Sequence, residues 1–144
     1  MAYSTQTDIL KRISDAELSQ LTSEIEGVID SAVVSEMIAA ADGEIDGYIA
    51  VRYAVPLASP PKFINGISVS IAVYRLFERR ASRLGGINDA VKTAYENAVK
   101  TLDAIAKGKL TLGVDPPPSA STSGKKTDIA GDARVFTKDT MQGL

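Results

Sequence analysis

Residues 42–49, DGEIDGYI, set acidic side chains at alternate positions (Asp42, Glu44, Asp46), followed by Gly47 and Ile49. Oxygen ligands, a turn glycine and a core anchor in that order open an EF-hand loop, and the chemistry would be coordination of a hard cation such as calcium. Such a loop also needs a bidentate glutamate at its twelfth position, and counting from Asp42 that position holds Tyr53. The apolar pattern points elsewhere. Val34, Met37, Ile38, Ala41, Ile45, Tyr48, Ile49 and Tyr53 recur at the three- and four-residue steps of one uninterrupted helix. That helix would pass through the loop and leave Asp42 and Asp46 on its solvent side, as a solvated acidic face. Gly43 and Gly47, also four apart, cost a helix about 2 kcal/mol relative to alanine. Close approach of another helix or subunit would explain them.

Other chemistry is thinly supplied. The chain has no histidine and no cysteine, so the commonest general base, the thiol nucleophile and the usual zinc and copper ligands are missing. No G-x-S-x-G or G-x-G-x-x-G occurs. The stretch SASTSGKKT (119–127) echoes a phosphate loop, but Ser119 stands where the first glycine belongs and Lys126 where the magnesium-binding hydroxyl should be. No catalytic residue, metal or cofactor is expected, and neither is an enzyme.

The elements that would position these residues are helices. With 144 residues, 44% of them hydrophobic, the chain can bury one core without disulfides or zinc. No apolar run approaches the ~20 residues that cross a bilayer, and MAYSTQTD has neither the basic nor the apolar part of a signal peptide. A cytosolic protein without a membrane partner is expected. Thr5 or Thr7 can cap a short helix over residues 5–12, and Ser14 with Glu17 makes a capping box for a second. Asp30 opens the long segment described above, which should end before Pro56. Pro60 and Pro61 introduce a helix carrying Ile64, Ile67, Ile71, Tyr74 and Leu76 or Phe77 toward Gly85 and Gly86, and Asn88 caps a last one through Lys107 and Gly108. The reading is all-α: a small bundle of three long amphipathic helices plus one or two short N-terminal ones, spanning residues 1–109.

Residues 110–144 differ in character. KLTLGV alternates apolar and polar residues over a length suited to one short strand or extended arm. DPPPSASTSGKKT cannot build a core and reads as a linker, after which Arg134, Val135, Phe136, Met141 and Leu144 restore an apolar segment. That segment is read as docking on a neighbouring subunit or another partner.

Charge is unevenly spread. Residues 1–46 hold ten acids against Lys11 and Arg12, a net of −8, so a chain total of −2 leaves +6 for the remainder. Opposite faces of that kind suit head-to-tail association of copies, and equally suit pairing between helices of one chain. In RLFERRASR, Arg75, Arg79 and Arg83 follow at four-residue steps with Arg80 adjacent. Three roles are open to them: a solvated helix face, contact with acidic protein surface such as the 36–46 region of a neighbour, and contact with nucleic acid, against which an isoelectric point near 5.1 argues.

IDGYIAVRYAVPL (45–57), SIAVYRLFERR (70–80), AKGKLTLGV (106–114) and RVFTKDTMQGL (134–144), in that order and spacing, resemble the small neck proteins of Mu-like tailed bacteriophages and prophages. The most specific element is Tyr48, Arg52, Tyr53, Pro56 and Leu57. SEIEGVID departs from the aspartate-rich turn common in that family, and Ser70 from an acidic residue. The resemblance implies a structural head–tail connector at the virion neck, assembled in the host cytoplasm. Its copies would form a ring, a dodecamer, between the portal protein and a tail-terminator or other neck protein, with packaged DNA running through the lumen. Subunit or portal contacts would fall to Arg75, Arg79, Arg80, Arg83, Asp42, Asp46 and the 134–144 segment. The rival reading is a small helical regulator or nucleic-acid-binding module that uses the arginine-rich helix.

Overall fold

The computed structural model describes residues 1–114, which form five helices: α1 (Gln6–Leu10), α2 (Asp15–Thr22), α3 (Ser31–Ile49), α4 (Lys62–Leu84) and α5 (Asp89–Ala106). The fold is all-α, with three long helices and two short ones at the N-terminus. At the starts of α1, α2, α3 and α5 a neighbouring side chain satisfies backbone N–H groups that have no partner within the helix, whereas α4 starts after Pro61 without a side-chain cap. The reciprocal capping box forms at Thr5 and Asp8, whereas at Ser14 the hydroxyl alone accepts from the Glu17 N–H. Asp30 accepts from the Ala32 and Val33 N–H groups, and Asn88 from that of Ala90. Gly85 stops α4 at φ +74, a left-handed conformation without penalty for glycine, and the Gly85 and Gly86 N–H groups both donate to the Ala81 carbonyl.

α4 is the central element and touches all four other helices. That position explains its burial on nearly every side: Ile64, Ile67, Val69, Ile71, Ala72, Val73, Leu76 and Phe77 are buried, and so are Ser68, Ser70 and Arg80. α3 supplies Val34, Ile38, Ala41, Ile45 and Ile49 to the same core, and α5 supplies Ala98, Leu102 and Ile105. The short 85–88 connection makes α4 and α5 antiparallel neighbours, with Tyr74 stacked on Tyr95 at 4.1 Å between ring centroids. The molecule therefore has two ends. One carries the 23–30 loop and the 85–88 turn; the other carries the 50–61 loop and the segment after α5.

Three local expectations are narrowed. α3 runs through residues 42–49 as expected but stops at Ile49, four residues before Tyr53. The Arg52 and Tyr53 N–H groups both donate to the Ile49 carbonyl in a turn, and that turn carries Tyr53 under the end of α5, where its hydroxyl accepts from the Leu112 N–H at 3.3 Å. Residues 109–114 hold no strand; Leu112 is buried on its own domain, while Leu110 and Val114 are exposed. Gly43 and Gly47 lie on the exposed side of α3, and a Cβ built on either meets nothing, so no element of the described chain approaches there.

Candidate interaction surfaces

The four arginines of α4 are engaged within the chain. Arg75 donates to Glu44 at 2.7 Å, and the Tyr95 hydroxyl donates to the other oxygen of that carboxylate at 3.0 Å. Burial, and then the bond to Glu44, push the Tyr95 phenol up to about 12. Arg79 donates to the Leu21 carbonyl at 3.1 Å, at the C-terminal end of α2, where the last carbonyls lack partners. Arg80 and Arg83 each donate to one oxygen of Glu24, at 3.0 and 2.8 Å. Hydrogen bonding from Arg83 leads the effects that lower the Glu24 carboxyl below its usual range. Arg80 is 7% exposed, and its Nε and Nη2 are buried without a hydrogen-bond partner. The stripe thus pins α2 and the following loop to α4. The acidic surface it meets at Glu44, expected on a neighbour, lies in the same chain.

Asp42 and Asp46, expected on the solvent side, are half-buried beneath the N-terminal residues. Asp42 accepts from the Tyr3 N–H at 3.2 Å and from Ser68 Oγ at 3.1 Å, while Asp46 accepts from the Tyr3 hydroxyl. The same Tyr3 hydroxyl accepts from the Leu57 N–H at 3.0 Å, and Ser4 bonds Ser68 at 2.7 Å. Desolvation raises the Asp42 carboxyl above its usual range, and burial, followed by the bond to Asp46, pushes the Tyr3 phenol up to about 12. Two side chains that could ligate a cation are therefore occupied by protein donors. Sequence reading missed Tyr3 and Ser68 because nothing local marks a contact across 26 to 64 residues.

Tyr48, Arg52, Tyr53 and Leu57 pack within the domain, while Pro56 is exposed. Tyr53 and Leu57 are buried; Arg52 lies over the Tyr53 ring and against Gly108, where an added Cβ would stand 2.9 Å from Arg52 Nη1. The pattern ties the 50–61 loop to the N-terminal residues and to the segment after α5. Of the residues read as contact candidates, Arg134, Val135, Phe136, Met141 and Leu144 lie outside the described residues.

Apart from Met1, which lies beside the middle of α3, the exposed large apolar side chains of the described residues stand at the two ends. Ile25, Val28 and Leu84 mark one end; Val51, Phe63, Leu110 and Val114 mark the other. Among the described residues, no group of three or more acidic side chains is placed to hold a metal, and no helix is long and apolar enough to cross a membrane.

The described residues thus form a small all-α domain with exposed apolar side chains at both of its ends. The family model described as Bacteriophage Mu, Gp36 matches residues 3–130, and the chain belongs to that family. It is 28% identical over 141 residues to gene product J of Escherichia phage Mu, covering 96% of each chain. It is likewise 28% identical over 145 residues to the Mu-like prophage FluMu protein gp36 of Haemophilus influenzae, covering 99% of this chain and 97% of that one.

Proposed function

We propose that this phage-family protein is a non-catalytic head–tail connector of the virion neck, forming a ring between the portal protein and the next neck or tail component. The observation that carries the reading is the placement of exposed apolar side chains at both ends of one bundle. An adaptor needs two contact surfaces facing apart, and exposed apolar groups are where stable contacts form. Membership of a Mu protein family and the resemblance to neck proteins over nearly the whole chain agree with it. The regulator or nucleic-acid reading has less to rest on, since Arg75, Arg79, Arg80 and Arg83 each already donate to a group of the same chain. Mass measurement of the purified protein with the portal protein of the same phage tests the proposal. A ring-sized gain of mass on the portal is expected. No gain, together with a mobility shift of an oligonucleotide, would overturn it in favour of the rival.

A further inference from the structure

At the end of the bundle that carries the 85–88 turn, a groove of about 270 Å³ runs between the loop after α2 and the last turn of α4. Ile25 and Leu84 form its apolar walls, 67% and 46% exposed, and Arg80, Arg83 and Glu24 supply its charge. Two large aliphatic side chains open to water across one groove would gain from being covered, since removing apolar surface from water is favourable. Arg80 is nine-tenths buried behind these walls, with Nε and Nη2 out of reach of the groove, whereas the Arg83 side chain is 62% exposed at its rim, where a carboxylate can meet it. The groove asks for an apolar segment that also carries an acid.

The chain carries such a segment. Residues 134–144 (RVFTKDTMQGL) combine Val135, Phe136 and Met141 with Asp139, and Arg134 can meet Glu24 or Glu26. The tether has the necessary reach. The described chain ends at Val114, at the opposite end of α4, and 23 helical residues span about 34 Å. Residues 115–133 could cover up to ~60 Å when extended. We infer that the groove between the 23–30 loop and the end of α4 receives residues 134–144 of this chain, with Phe136 seated between Ile25 and Leu84. The inference does not depend on the connector proposal, because it is read on the purified full chain without a portal.

The absence of cysteine makes the test clean. Ile25→Cys combined with Phe136→Cys in the full chain is expected to form a disulfide under mild oxidation at least tenfold faster than Ile25→Cys with Gly131→Cys, a pair of similar tether length. The cross-linked species shows whether a chain fills its own groove (monomer) or that of another copy (dimers and larger); either is occupancy by this segment. Equal rates for the two pairs would overturn the inference. As a second readout, Phe136→Trp in a chain that otherwise lacks tryptophan should emit as a buried indole, and adding Leu84→Asp should shift it to a water-like spectrum with the helical content unchanged. A water-like spectrum before Leu84→Asp is added would overturn it as well.

Discussion

Two polar clusters fasten the N-terminal 30 residues to the bundle, and they work by opposite means. Around Tyr3, a buried phenol shares its hydroxyl between Asp46 and the Leu57 N–H, while Asp42 takes the Tyr3 N–H and the Ser68 hydroxyl. Around Glu24, a carboxylate 69% exposed bridges Arg80 and Arg83. The first cluster is screened from water, so each donor or acceptor left unpaired there bears its full desolvation cost. In the second, water and salt compete for the same partners. Hydrogen bonds of similar length should therefore differ widely in what they contribute.

The largest effect is expected at Tyr3. Tyr3→Ala removes a buried aromatic side chain together with the two hydrogen bonds of its hydroxyl, and a loss of about 3–5 kcal/mol follows from comparable core truncations. Tyr3→Phe keeps the ring and strands Asp46 and the Leu57 N–H, for about 1–3 kcal/mol. Urea unfolding of both variants measures the two terms, and a Tyr3→Phe midpoint equal to that of the parent would show that the hydroxyl network contributes nothing.

The contrast also separates what could be read in the sequence from what could not. Helices were legible because their signals are local: Asp30, Asn88 and Gly85 act within a few residues of where they stand, and Ile64, Ile67 and Ile71 repeat on one face. The end of α3 was misread because Tyr53 fits the apolar period yet is buried from a turn, a placement decided by Leu112 and the end of α5. The site residues were harder still. Asp42 and Asp46 look solvated from α3 alone, and only the return of Tyr3 onto that helix buries them. The arginine stripe was visible as a stripe, but its partners, Glu44, Glu24 and the Leu21 carbonyl, are 31 to 59 residues away.

The next effect concerns pH and has an unusual sign. Asp42 has a folded-state pKa raised above its ordinary value of 3.8, chiefly by desolvation. Its contribution to stability is therefore complete below 3.8 and is lost as pH rises from there through the raised value. Asp8 and Glu24 are lowered, by Lys11 and Arg83 respectively, and their contributions are lost as pH falls below the ordinary carboxylate range. The windows differ, so the parent should gain stability relative to Asp42→Asn between pH 7 and pH 4. Parallel urea midpoints for the two proteins across that range would remove Asp42 from the account.

The smallest effect is expected at the exposed cluster. Glu24→Gln retains an oxygen that can accept from Arg80, so what it removes is charge, and with Glu24 this open to water that charge is well screened. Any destabilisation seen at low ionic strength should vanish in about 1 M salt, where the screening length is roughly 3 Å. Arg80 sharpens the point. Its Nε and Nη2 are buried unpaired, so the guanidinium bears a desolvation cost that one exposed partner does little to offset. Arg80→Met, which fills similar space without that cost, should leave stability unchanged or raise it, whereas the same kind of exchange at Tyr3 is costly. Thermal melts of Glu24→Gln and Arg80→Met at low and high salt measure both; a large loss in Arg80→Met that persists in high salt would mean that this end of the bundle is held by its arginine after all, and would erase the difference between the two clusters.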